Sequence, residues 1–280
     1  MAVVVDYLLK TYIMKRRIYA PALLLFLSLS YITVVNAQWE IGARGGISIP
    51  NLSAGGSNNN PLNTGYSSRF GPDFSLSGEY HLTPIFSLEA RAEYSSQGGK
   101  KNGMQALATP DQIVELYLSQ GATAPPYLYA NYKSEAKLDY LLIPILAKFG
   151  WALGTSSSWR FYAEVGPYAG FLLSAKHVTS GNSDFYMDPA GTQPMPGGAH
   201  SFDATTNIKS QLHSANVGVD GNIGLAYALG ATRRSTISVE AGGNYGFVNI
   251  QKGTANGKNN TGAAVATLGY SYRLGGKHKV

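Results

Sequence analysis

Between Phe86 and Ser95 the chain sets apolar Phe86, Leu88, Ala90, Ala92 and Tyr94 at alternate positions, with Ser87, Glu89, Arg91, Glu93 and Ser95 between them. Side chains of a β-strand point to opposite faces with a period of two, so this stretch makes one apolar face and one charged face. Eight such segments follow Gln38. They run about Trp39 to Ile49, Arg69 to His81, Ile85 to Ser96, Glu135 to Trp151, Trp159 to Lys176, Gln211 to Leu229, Thr236 to Ile250 and Ala263 to Leu274. The connections between them alternate in length. Short ones fall at 82–84, 154–157 and 230–235; long ones rich in Gly, Asn, Ser and Pro fall at 50–67, 97–134, 177–210 and 251–261.

A soluble sandwich buries its apolar face and has no reason to gather every long loop at one end. A barrel in an outer membrane does so, with short periplasmic turns, longer extracellular loops, an apolar face toward lipid and a polar face lining the interior. The expected fold is therefore all-β: a transmembrane antiparallel up-and-down barrel of eight strands. Closure leaves no unpaired backbone edge in lipid, and an even strand number returns both ends to the periplasmic side. The interior face then carries Glu89, Arg91, Glu93, Lys148, Arg160, Glu164, Asp220, Glu240 and Arg273. Unpaired buried charge is costly, so these groups should pair. An eight-stranded interior is just wide enough for side chains to fill, which favours a structural plug over an ion path. In the fourth segment Leu141, Ile143, Ile145, Ala147, Phe149 and Trp151 share one face, and Tyr140, Leu142, Pro144, Leu146 and Lys148 the other.

The N-terminus reads as a secretory signal peptide over 1–37. Lys15-Arg16-Arg17 precedes the apolar run Ala20 to Val35, which closes in Val35-Asn36-Ala37, and the run is short of the roughly 20 residues of a spanning helix. Met14 directly before the basic cluster is a candidate start of translation. The remaining 38–280 form one barrel domain. Without 1–37 the chain keeps 18 basic and 15 acidic residues, a net charge of +3, and no basic run is interleaved with aromatics as nucleic-acid binding would need. There is no cysteine, which excludes disulfides and thiolate metal sites.

The loops hold few chemical signals. His177, His200 and His213 lie in or beside the third long loop with Ser180, Asp184, Asp188 and Ser201, residues that could be written as a catalytic triad or a metal set. They lack a GxSxG, HExxH or EF-hand spacing, so the expectation is no catalytic, cofactor-binding or metal site. Lys100-Lys101 is placed at the outer rim, where lipopolysaccharide phosphates could meet it, and Arg233-Arg234 at a periplasmic turn. Thr109 to Gly121 predicts a short amphipathic helix, with Thr109 as N-cap and Pro110 at its first position, packed as a lid on the barrel mouth. Tyr127 to Tyr132 reads either as an upper aromatic girdle or as an upward extension of the fourth strand.

Six phrases, FSLEARAEYSSQGGKKNG (86–103), LDYLLIPILAKFGW (138–151), FYAEVGPYAGFLLSAK (161–176), VGVDGNIGLAYAL (217–229), ISVEAGGNYGFVNI (237–250) and ATLGYSYRLG (266–275), together resemble the PorT-like outer-membrane β-barrel family. The resemblance implies a porin-like eight-stranded barrel of the Gram-negative envelope, inserted by the barrel-assembly machinery. That machinery reads alternating hydrophobics in a final strand, a pattern that Leu268, Tyr270 and Tyr272 fit, although the chain runs on through LGGKHKV. The resemblance supplies no catalytic motif. The expected function is a non-enzymatic outer-membrane barrel, structural or porin-like, with outward-facing long loops and contacts to outer-membrane lipid and lipopolysaccharide. The alternatives are a subunit of a secretion or surface-assembly complex, joined through its loops to protein partners, and a periplasmic lipid-binding barrel.

Overall fold

The computed structural model describes residues 38–55, 60–253 and 257–274, so the expected signal peptide lies outside the described residues. Eight long strands form the wall: β1 (Gln38–Gly55), β2 (Gly71–His81), β3 (Phe86–Ala108), β4 (Tyr127–Ala152), β5 (Trp159–Ser180), β9 (Ala215–Leu229), β10 (Ser235–Gly246) and β11 (Lys258–Leu274). Each pairs antiparallel with its neighbour in the chain, and β1 pairs with β11 from Trp39↔Leu274 to Gly55↔Lys258, which closes the ring. Short strands β6 (Asn182–Ser183), β7 (His200–Ser201) and β8 (Ala204–Asn207) lie in the third long connection, where β8 runs beside the upper part of β5.

Alternation decides what faces out. Trp39, Phe74, Leu76, Val165, Ile223, Val239 and Leu268 are exposed, whereas Ser75, Glu89, Glu164, Asn222, Glu240 and Thr267 between them are buried in the ring. Cross-strand aromatic pairs circle the short-turn end: Trp39 with Tyr80, ring centres 5.1 Å apart, Phe86 with Phe149 at 5.0 Å and Trp159 with Tyr227 at 4.9 Å. Such girdles mark the boundary between an apolar band and water. The tightest turn is held locally, with Thr83 Oγ1 accepting from the Phe86 N–H at 2.9 Å.

Three expectations need correction. The connection 97–134 is not an open loop: β3 and β4 continue pairing as far as Ala108↔Tyr127, and Tyr127 to Tyr132 belongs to that extension. Twelve residues on each strand, from Gln97 to Ala108 and from Tyr127 to Leu138, make about 40 Å of hairpin at roughly 3.3 Å per residue. The predicted helix is present as α1 (Asp111–Ser119), but Pro110 is its N-cap, Thr109 Oγ1 donates to the Pro125 carbonyl instead, and none of its residues is buried. It sits at the hairpin tip, touching the third loop through Tyr117 Oη and Met187 Sδ at 3.8 Å, and is no lid. Thirdly, the interior is not polar throughout. Toward the long-loop end Leu138, Tyr140, Leu142, Tyr168, Leu172 and Ala175 pack inside the ring, closed over by Leu52, Leu212 and Ile250 with Tyr66 and Ile208 against them.

Candidate functional site

The lumen is filled in layers. Nearest the short turns, Glu40 Oε2 lies 3.0 Å from His81 Nε2 and accepts from Arg273 Nη2 at 3.2 Å, while Glu40 Oε1 accepts from Ser271 Oγ. Arg160, on the same end, donates to the Pro84 and Gly150 carbonyls at 2.7 and 3.2 Å. Glu40, Glu79 and His81 bring one ligand atom each to within 4.8 Å of one another, the geometry of a cation site. Arg273 Nη2, 3.2 Å from both Glu40 Oε2 and His81 Nε2, already supplies a positive group there.

The next layer centres on Arg91. Its Nε donates to Glu89 Oε1 at 2.6 Å, its Nη1 to Glu240 Oε1 at 3.0 Å, and its Nη2 to Glu240 Oε2 at 3.1 Å and to Glu164. Arg44 forks onto both oxygens of Glu89 at 2.7 and 3.1 Å. Lys148 Nζ bonds Glu79 at 2.8 Å and Glu89 at 2.9 Å and sits 4.5 Å from the centre of the Tyr162 ring. The Tyr162 hydroxyl donates to Glu240 Oε2 at 3.0 Å. Glu89 thus carries three cations and is wholly buried. Charge-assisted, partly bidentate bonds of this kind are the strong ones, and in a buried, low-dielectric interior they fix geometry.

Above Arg91 the character changes. Ser95 Oγ donates to Asp73 at 3.0 Å, Asn222 Nδ2 to Asp220 at 2.7 Å and to Glu164 at 3.1 Å, and Gln97 Nε2 to Asn244 at 3.1 Å. Glu93 is buried at this level with Asp73 and Asp220 beside it. Above these lies the apolar layer. Beside it the polar packing continues, with Asn216 Nδ2 donating to the Thr261 hydroxyl at 2.9 Å and Arg69 Nη1 to the Ser96 hydroxyl at 2.9 Å. A concavity of about 370 Å³ does exist, but it opens on the outer wall between Phe149, Val165 and Ile223, over a floor of Ala163, Gly221 and Ala241.

All nine charges expected inside are on the lumen side of the wall or at its short-turn mouth. Glu40, Arg44, Asp73 and Glu79 join them and were missed, although their parity opposite Trp39, Ile41, Phe74 and Leu76 carried the signal. Leu268, Tyr270 and Tyr272 face outward on β11. Lys101 turns inward, donating to the Leu62 carbonyl at 2.7 Å above the Tyr66 ring, while Lys100 stays exposed. The third-loop residues do not converge. His200 packs at a tilt against Phe185, ring centres 4.9 Å apart, and His177 is half-buried on β5. Asp188 closes its own turn, accepting from the N–H groups of Ala190, Thr192 and Gln193 and from the Thr192 hydroxyl. Slight desolvation pushes the Asp188 carboxyl up, but the Gln193 and Thr192 N–H groups, the Thr192 hydroxyl and the Ala190 N–H hold it below its usual range.

A closed ring of eight strands, apolar outside and packed with paired charge inside, is the architecture of an outer-membrane barrel. The outer membrane protein beta-barrel domain family matches residues 35–274. The chain belongs to that family, and it is an outer-membrane β-barrel protein. None of the curated proteins matches it. Among solved structures it is similar to Neisserial surface protein A, at 14% identity over 84% of this chain and 97% of that one, with a TM-score of 0.38. It is also similar to OprG from Pseudomonas aeruginosa, at 13% identity over 86% and 98% with a TM-score of 0.36. A third is the outer-membrane protease OmpT from Escherichia coli, at 9% identity over 85% and 97% with a TM-score of 0.32. At these identities the likeness concerns the fold alone.

Proposed function

We propose that this protein is a non-enzymatic, non-conducting barrel of a Gram-negative outer membrane, PorT-like within its family, that holds its long-loop end outward as a rigid surface platform. The filled lumen carries this reading: an ion entering from the short-turn end meets Arg91 and its three carboxylates and then the Leu138–Leu142–Tyr168–Leu172 layer. The dispersal of the loop histidines and aspartates supports the absence of catalysis, and the six ordered phrases support the PorT-like assignment. Cleavage after Ala37 by signal peptidase, insertion by the barrel-assembly machinery through the Leu268-Tyr270-Tyr272 face, and contact with lipopolysaccharide belong to the same reading.

Planar-bilayer recording tests it. The purified protein should leave the bilayer at baseline, whereas discrete conductance steps would refute a plugged lumen. Because the chain has no cysteine, orientation can be read with single introduced thiols. Ser119→Cys at the hairpin tip should react with a membrane-impermeant maleimide on intact cells, and Ser156→Cys in a short turn only after permeabilisation.

One observation favours a second reading, a subunit of a secretion or surface-assembly complex. The extended hairpin ends in α1 with Leu116 and Leu118 more than half exposed, an apolar tip standing clear of the barrel. Co-purification from mild detergent, lost in Leu116→Ser/Leu118→Ser, would establish that role.

A further inference from the structure

We infer that Lys137, Lys176 and Lys209 form a docking site for the phosphate groups of a lipid A-type lipid in the outer leaflet. The inference rests on the outward placement of the long-loop end proposed above.

Lys137 on β4 and Lys176 on β5 are directly opposite each other in the ladder. The irregularity at Asp139/Tyr140 resets the β5 face, so that Ala175 points inward and Lys176 outward, matching Leu138 and Lys137 on β4. Like charges facing across an antiparallel pair repel, so strand pairing gives no reason for this arrangement. A third ammonium joins them. Lys176 is also the ladder partner of Asn207 on β8, and Lys209, two residues on, donates through Nζ to the Leu173 carbonyl at 2.9 Å. That bond draws Lys209 down to the edge of the apolar band, beside outward-facing Leu173 and Phe171, both nearly half exposed.

The neighbouring carboxylates are already engaged. Glu135 is held by Arg69 Nε at 2.6 Å and lies 3.4 Å from Lys137 Nζ, and Asp139 takes the Tyr94 hydroxyl. Among the described residues no carboxylate comes within 4.0 Å of Lys176 or Lys209. Three ammonium groups immediately above an apolar wall match a ligand with phosphates at the headgroup and acyl chains below. A free phosphate would leave Phe171 and Leu173 unmatched, so the assignment is to the lipid.

Native mass spectrometry of the folded protein in detergent tests this, with bisphosphorylated lipid A and the same lipid stripped of both phosphates as probes. The wild type should carry the bisphosphorylated form at least fivefold more often. K137Q/K176Q/K209Q should lose that preference, K137R/K176R/K209R should keep it, and the preference should shrink as salt rises. The heat-modifiable gel shift of each variant reports that it is folded. Retention of the preference in the glutamine variant overturns the site, as does an equal loss in K252Q/K258Q, and as does displacement of the lipid by inorganic phosphate at equal concentration. Because binding is measured in detergent, it is independent of orientation. Labelled Ser119→Cys with no phosphate preference sinks the lysine site alone; unlabelled Ser119→Cys sinks the outward reading from which it was drawn.

Discussion

Replacing Arg91 by methionine keeps much of the side-chain volume and removes the cation that ties Glu89, Glu164 and Glu240 together. The three carboxylates do not suffer equally. Glu89 keeps Arg44 and Lys148, and Glu240 keeps the Tyr162 hydroxyl at 3.0 Å and Arg44 Nε at 3.5 Å. Glu164 keeps only the Asn222 amide at 3.1 Å and Lys148 at 3.8 Å. Removing one partner of a buried ion pair costs about 3–5 kcal/mol, because the other charge stays buried without compensation. The expected loss is therefore ~3–5 kcal/mol, a hundredfold to several-thousandfold fall in the folded-to-unfolded ratio at roughly 1.4 kcal/mol per decade. Adding Glu164→Gln to Arg91→Met should restore roughly half of that, since most of the penalty is one orphaned carboxylate. Guanidinium unfolding in detergent micelles, followed by the fluorescence of Trp39, Trp151 and Trp159 on the outer wall, measures both. An Arg91→Met barrel within about 1 kcal/mol of wild type, or a double variant no more stable than the single, would refute the network as a source of stability.

The same assay serves the other variants. Leu142→Ala, at a fully buried position in the apolar layer, should cost ~2–5 kcal/mol by opening a cavity. With the unfolding repeated in lipid bilayers in place of micelles, Val239→Arg, a charge on the outward face of β10, should cost ~2–4 kcal/mol, while the exposed rim change Lys100→Gln stays within about 0.5 kcal/mol. Gly98 has φ +117° and a Cβ there would stand 1.9 Å from the Ala136 carbonyl oxygen, so Gly98→Ala should destabilise by at least ~1–3 kcal/mol, or refold with β3 shifted against β4. The Asp188 turn should loosen in acid. Its carboxyl is depressed in the folded turn, so its contribution is present above the ordinary aspartate range and is lost as pH falls through the folded value. Hydrogen exchange at the Thr192 and Gln193 amides should accelerate there in wild type and be fast at every pH in Asp188→Ala.

Strand count, ring closure and the inner charges were legible because a wall with lipid on one side imposes a strict period of two on the chain. Reading only the apolar members of the first two segments hid Glu40, Arg44, Asp73 and Glu79, which the same parity places inside. The hairpin extension was not legible for a different reason. From Ser95 to Gly99 every residue is buried, so Gln97-Gly98-Gly99-Lys100-Lys101 carries no alternation, and its pairing with 134–138 comes from the partner strand rather than from its own sequence. The apolar layer was harder to see because β4 is apolar on both faces, and only the parity that Leu142 shares with Lys148 marks it as inward.

That double-sided strand has a consequence for assembly. From Tyr140 to Leu146 a slip of β4 by one residue exchanges one set of aliphatic side chains for another and forfeits little burial. What the slip cannot preserve is Lys148. Its ammonium would leave Glu79 and Glu89 for the lipid side, and Phe149 would take its place among the carboxylates. Lys148 therefore works as a register pin: oil holds this strand in the wall, and one charge decides which way each of its side chains points.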